Sequence, residues 1–159
     1  MGEIIGPLPF LGKNMIKSIL GVMMVNYLMQ FVGTPYLWAG NNPIEGFDCS
    51  GLINEGLRSE GILGPHEDLT SQGIFDRLKN GYKAFSPDIY RIQKNDLLFF
   101  GSSPVSITHV AIAYDDRIML EAGGGDSSCD SIEKAKEMGA FVRLRPISMR
   151  KDIVATVRL

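Results

Sequence analysis

An α+β domain is the fold class this sequence predicts, with N-terminal helices packed on an antiparallel β-sheet formed by the second half of the chain. Three observations lead there. Apolar residues recur at helical spacing between residues 15 and 32 and again from Cys49 to Leu57. Beyond Asn95 the pattern changes to short alternating runs bounded by Gly, Asp and Pro, as expected of strands. Those runs follow one another closely, so neighbouring strands should pair antiparallel.

Length and composition set the frame. The chain has 159 residues, of which 45% are hydrophobic, with a formal net charge of -2. That suits one domain with an ordinary core. A chain so near neutrality gives no reason to expect a nucleic-acid partner. Two cysteines, Cys49 and Cys129, make no disulfide framework. No metal-ligand spacing is present, so neither a metal nor an organic cofactor is expected.

The elements follow in order. "GEIIGPLPFLG" is rich in Gly and Pro and reads as an extended N-terminal arm over residues 1–14, leaving 15–159 as a single domain. In "MIKSILGVMMVNYLMQFV", Ile16, Ile19, Leu20, Met23, Tyr27 and Phe31 share one helical face, which predicts a largely buried helix. Lys13 and Lys17 ahead of an apolar run look like the start of a signal peptide, but no small-residue cleavage site follows. Polar breaks at Ser18, Asn26 and Gln30 interrupt the run of about 20 apolar residues that a membrane span needs, so no stable membrane insertion is expected. "GTPYLWAGNNPIEG" is loop.

A second helix starts at "FDCSGLINEGL". Cys49, Leu52, Ile53, Gly56 and Leu57 fall on one face, Asp48 is a good N-cap and Gly61 a plausible stop. "LTSQGIFDRLKNG" predicts a short helix capped by Thr70 or Ser71. A strand is expected from about Asp96 to Phe100, a hairpin about Asp115 and Asp116 within "THVAIAYDDRIMLEAGGG", and two further strands in "AFVRLRPI" and "DIVATVRL".

The helix start gives Cys49 chemical content. Unpaired N–H groups and the helix dipole favour negative charge there, and thiolates at such positions are the reactive form. A nucleophile then needs a base presented by the sheet. His66 lies in a polar loop and reads as solvated. His109 opens a strand in which Ala111 and Ala113 share its face, and small residues there suit close approach of the Cys49 helix. Glu121 is a candidate to orient the imidazole. A hairpin loop with an odd number of residues, centred on Asp115, would set Glu121 directly across from His109. A two-residue loop would turn it away, leaving a solvated strand-end glutamate.

These residues carry a family resemblance. "GTPYLWAGNNPIEGFDCSG" resembles the NlpC/P60 cysteine-peptidase pattern Gly-x-Pro-Tyr-x-Trp-Gly-Gly followed by Gly-Phe-Asp-Cys-Ser-Gly. "NDLLFF" and "THVAIAY" resemble the family's Gly-Asp-Leu-Val-Phe-Phe and His-Val-Gly-Ile-Tyr strands. The blocks occur in the family's order and span about Gly33 to Gly124. The resemblance implies a papain-like fold and a thiol peptidase acting on bacterial cell-wall peptides. By position, Cys49 matches the nucleophile, His109 the general base and Glu121 the third, imidazole-orienting residue, which is most often His in the family. Tyr36 matches a tyrosine of the oxyanion or substrate region. Asp48 and Ser50 resemble residues that help hold the peptide; capping and turn formation are the plainer roles for both. Ala39 replaces the first Gly of Trp-Gly-Gly, which should reshape the loop slightly, and Ala111 replaces the Gly after His-Val. Trp38 is expected to anchor its loop, "EAGGGDSS" to form a rim of the cleft, and Cys129 to be an incidental, semi-exposed thiol.

The substrate implied is a peptidoglycan stem peptide, cut at the bond from D-γ-glutamate to diaminopimelate or lysine. Two other readings remain open at this point. One is a related amidase or acyltransferase using the same pair. The other is a phage tail or secretion component with a mainly structural role. The absence of a clear signal peptide suits synthesis in the cytoplasm and action at the wall after lysis, after delivery by a partner, or within a phage particle, and equally suits one domain of a longer polypeptide.

Overall fold

The structure is a computed structural model that describes residues 24–86 and 91–159. The arm predicted over 1–14 and the first part of the predicted N-terminal helix lie outside the described residues. The chain is helical over 24–28 and tightens into a 3-10 turn at Met29–Phe31. Met24, Val25 and Leu28 are fully buried there, in keeping with a core helix.

Two short strands follow in the loop region, β1 (Asn41–Asn42) and β2 (Gly46–Phe47), and then helix α1 (Cys49–Ser59). Asp48 caps α1, accepting from the Gly51 N–H at 2.7 Å. The helix stops where Gly61 turns left-handed, at φ 68°. Helix α2 (Ser71–Leu78) is capped by the Thr70 hydroxyl, so of the two candidate caps it is Thr70 that serves. Strands β3 (Lys83–Phe85), β4 (Asp96–Ser103), β5 (Ser106–Ala113) and β6 (Ile118–Gly123) come next. Helix α3 (Ile132–Met138), β7 (Phe141–Pro146), a 3-10 turn at Ile147–Met149 and β8 (Ile153–Arg158) complete the chain. Neither α3 nor β3 stands out in the sequence. Each is short, and α3 has only one fully buried residue, Ala135, so no apolar stripe marks it.

Six strands form one sheet in the order β3-β8-β4-β5-β6-β7, with every pairing antiparallel. Strand β8 returns to the middle and is locked to β4 by the fully buried Asp96, on which Arg158 forks through Nε and Nη2, both at 2.7 Å. The sheet has a core on each face. Leu52, Ile53 and Leu57 of α1 cluster with Val110, Ile112, Leu120 and Ala122 on one side. Each of these buried leucine, isoleucine and valine side chains contributes about 2 kcal/mol of transfer free energy. Leu98, Phe100, Ala111, Ala113, Met119 and Ile147 cluster on the other. The helix therefore packs on the Val110 face, not on the small-residue Ala111 face expected from the sequence. The alanines accommodate the 3-10 turn that carries the chain from β7 to β8.

Candidate active site

The thiol of Cys49 stands at the first residue of α1, part-buried, where the loop ahead of the helix fixes it. Asp48 does the fixing. One carboxylate oxygen accepts from Gly51 N–H and from Ser50 Oγ at 3.0 Å, and the other accepts from Ala39 N–H at 3.1 Å. A single part-buried carboxylate thus caps the helix and ties it to the Trp38–Gly40 loop. Burial raises the Asp48 pKa, against the lowering effect of these hydrogen bonds. Ala39 takes φ 58°, a left-handed conformation natural to glycine. The alanine thus occupies a backbone conformation that glycine adopts more readily. Gly51 is required by space: a Cβ there would lie 1.9 Å from the Gly40 carbonyl oxygen.

His109 approaches from β5. Its Nε2 lies 2.8 Å from Glu121 Oε2, leaving Nδ1 as the ring nitrogen available to the thiol. The hairpin places this pair, with a different centre from the one expected. Tyr114 N–H donates to the Ile118 carbonyl, and Ala113 pairs with Met119. Three residues, Asp115 to Arg117, form the loop, centred on Asp116. The odd length keeps Glu121 on the face of His109, but diagonal to it rather than directly across. Paired residues of β5 and β6 are only Ile112↔Leu120 and Ala113↔Met119, so the strands part toward His109 and the start of α1 reaches the imidazole at that opening.

Charge organises the site. Glu121 is 1% exposed and so is no solvated strand-end residue. Besides His109, it meets Arg143 Nε at 3.3 Å and Arg145 Nη1 at 3.4 Å through Oε1. Strand register explains this: Arg143 pairs directly with Glu121 across β6 and β7, and Arg145 is its neighbour on the same face. Burial would raise the Glu121 pKa, but the hydrogen bond and charge of His109 and the two arginines hold it down at about 2. His109 is lifted to about 9; burial works against this, and the hydrogen bonds to Cys49 and then Glu121 outweigh it. The Cys49 thiol is lowered despite its own burial, because His109 hydrogen-bonds and attracts the thiolate and Ser71 adds a hydrogen bond. The arrangement favours a thiolate–imidazolium pair.

Ser71, Arg143, Arg145 and Arg150 escaped the sequence reading. Local sequence marks Ser71 only as a candidate cap; its Oγ lies 3.5 Å from Cys49 Sγ. The arginines sit in a strand and a connection with no motif to mark them, and only strand pairing shows their target.

A cleft of about 640 Å³ opens over these groups, with Tyr36, Trp38, Asp48, Ser50 and Gly124 among its walls. Tyr36 is 4% exposed, its ring against Gly125, and burial followed by the charge of Cys49 raises its hydroxyl pKa. Trp38 departs from expectation. Its main chain is anchored, N–H to the Cys129 carbonyl at 2.8 Å, but its ring is 52% exposed at the cleft. The segment after β6 does form a rim, through Gly124, Gly125 and Asp126. Cys129 is fully buried behind it, its thiol against the Tyr36 carbonyl, so it is a small core residue and not the semi-exposed thiol expected. His66 is exposed, as predicted. Among the described residues no group of His, Cys, Asp and Glu could hold a metal ion, and no helix is long and apolar enough to cross a membrane.

Comparison with known proteins agrees with this geometry. Residues 33–145 match the model of the NlpC/P60 family. The γ-D-glutamyl-L-lysine dipeptidyl-peptidase of Bacillus cereus is 32% identical over 122 residues, 76% of this chain and 34% of that protein. The bifunctional muramidase/DL-endopeptidase CwlT of Bacillus subtilis is 33% identical over 107 residues, 63% of this chain and 30% of its own length. The chain thus spans about a third of the length of these curated relatives. Among solved structures, an NlpC/P60 family protein from Bacillus cereus superposes with a TM-score of 0.61 at 26% identity, covering 86% of this chain and 39% of that one. The P60 domain of an M. avium paratuberculosis antigen gives 0.66 at 21% identity, covering 92% and 98%, a likeness of fold.

Proposed function

The chain belongs to the NlpC/P60 family, and from that premise we propose that it is a cysteine peptidase hydrolysing an amide bond in peptidoglycan stem peptides, of the D-γ-glutamyl-diaminopimelate or -lysine type. The observation that carries this reading is the alignment of a helix-start thiol, an imidazole and a buried carboxylate at the floor of one cleft. The relatives support the substrate class: one is named for a γ-D-glutamyl-L-lysine bond and another as a DL-endopeptidase.

The proposed chemistry uses Cys49, His109 and Glu121 as nucleophile, acid–base and orienting group. The Cys49 thiolate attacks the amide carbonyl carbon, and the carbonyl oxygen becomes an oxyanion. The Cys49 N–H, which donates to no acceptor among the described residues, is available to it. Tyr36, whose raised pKa keeps the hydroxyl protonated, is a second donor at the cleft wall. The His109 imidazolium gives its proton to the leaving nitrogen, the C–N bond breaks, and a thioester remains. Neutral His109 then takes a proton from water, the resulting hydroxide attacks the thioester, and the thiolate leaves with the imidazolium restored. Glu121 stays ionised throughout, holding Nε2–H and the ring orientation. Asp48 serves the site by fixing the helix start, and Ser50 shares that task through its hydroxyl.

Digestion of purified muropeptides with wild type and Cys49→Ala, read by product mass, tests the proposal. Wild type should release two fragments whose masses sum to substrate plus water, and Cys49→Ala should release none while retaining its fold. Undiminished cleavage by Cys49→Ala would remove the nucleophile assignment.

A further inference from the structure

One wall of the cleft carries more positive charge than the catalytic groups use. Arg143, Arg145 and Arg150 face two carboxylates, Glu121 and Asp152. The thiolate and imidazolium cancel each other. On this wall, then, three guanidinium charges meet two carboxylates, while Asp48 and Asp126 line the cleft elsewhere.

Arg145 and Arg150 are the two of these that line the cleft. Arg150 is held for a purpose that the triad does not explain. Its Nε donates to Asp152 Oδ1 at 2.9 Å and its Nη2 pairs with Oδ2. The guanidinium carbon lies over the Phe100 ring, 4.5 Å from its centroid, and Phe100 is the strand partner of His109. Two anchors thus fix the fork, and among the described residues Nη1 has no acceptor. Arg145 is likewise only partly engaged, reaching Glu121 through Nη1 alone. The N–H groups left without an acceptor on these two cleft-lining guanidiniums are donors suited to a planar anion. Asp48 and Asp126, the other charged groups lining the cleft, repel an anion and direct it to the arginines. Arg150 lies just beyond the stretch 33–145 that matches the family model.

We infer that Arg145 and Arg150 form a carboxylate-binding subsite, and that the peptide cut at Cys49 is selected for a free carboxylate flanking its scissile amide. The inference rests on the peptidase reading above. It adds that the enzyme distinguishes an acid from its neutral amide at that position.

The test uses γ-D-glutamyl-diaminopimelate peptides in which each free carboxylate in turn is converted to a primary amide. Wild type should lose about tenfold or more in kcat/KM on one of these amides, the loss lying mainly in KM. Arg150→Gln should cut the free-acid peptide less well by a similar factor. It should cut that amide as well as wild type does, so the discrimination collapses toward unity. A merely structural role would lower both substrates alike, and equal loss on both overturns the subsite. So does a wild type indifferent to every amide, an outcome that needs no variant to fold. Calorimetry with Cys49→Ala separates the two readings. If wild type cuts no peptide, the peptidase reading fails, and the affinity of Cys49→Ala for acid against amide still decides the subsite, with equal affinities overturning it.

Discussion

Replacing Glu121 by glutamine removes one charge from the centre of the site while keeping the size of the side chain. Glu121 and Cys49 together hold His109 at about 9 against an ordinary 6.5, in opposition to burial. That difference is worth about 3 kcal/mol, shared between thiolate and carboxylate. Assigning roughly half to Glu121, the substitution should lower kcat/KM by about tenfold and move the imidazolium pKa down by about one unit. The sign is fixed by the productive form. Thiolate with imidazolium is active, so activity disappears as His109 loses its proton, and a lower His109 pKa brings that loss to lower pH. The assay is kcat/KM on a stem peptide from about pH 5 to pH 11, where the alkaline limb reports His109. Wild type should turn over near pH 9, the variant about a unit lower. His109→Ala should be slower than either. An unmoved alkaline limb with a wild-type rate would refute the reasoning and mean that another group orients the imidazole. Stability supplies a second check. The Glu121 pKa falls from 4.5 to about 2 on folding, so its contribution is present in full above 4.5 and lost as pH falls toward 2. Wild type and Glu121→Gln should differ most in denaturation midpoint near neutrality and converge in acid. In the variant Arg143 and Arg145 also lose the carboxylate that offsets them.

Two further substitutions probe how the thiol is held. Ala39→Gly relieves a left-handed alanine and should stabilise the fold by about 1 kcal/mol, raising Tm by about 3 °C with activity kept; a lowered Tm would show that the loop gains from the methyl group. Gly51→Ala drives a methyl group into the Gly40 carbonyl and should cost about 3 kcal/mol or more and displace the start of α1. A variant with wild-type Tm and turnover would contradict the close approach of loop and helix.

Much of the site was legible because its logic is local. Helix spacing from Cys49 to Leu57, with Asp48 as cap, follows from short-range rules, and the structure keeps both. Parity did the same for Glu121. Side chains alternate along a strand, so any odd loop returns Glu121 to the face of His109, and the true centre at Asp116 changes the offset and not the face. Local rules failed where the partner is distant in the chain. Cys129 looked incidental because nothing near it in sequence is apolar enough to bury it; its cover is the Tyr36 loop. The Ala111 face was assigned to the helix because small residues permit close approach, but they permit it for any neighbour, and the β7–β8 connection took that place.

By itself the sequence determined the α+β class, the helix-start thiol, the strand histidine and the family pattern that joins them. Each depends on periodicity, capping or spacing within some ten residues, and such information is written directly into the chain. Only the tertiary structure decided how the carboxylate stays ionised and what else the cleft can hold. Glu121 stays charged because folding sets His109 against it and strand register adds Arg143 and Arg145, and Arg150 lies in the connection that leads into β8, the partner of β4. Burial and Coulomb attraction act through space, and the distances that set them exist only once the sheet has closed.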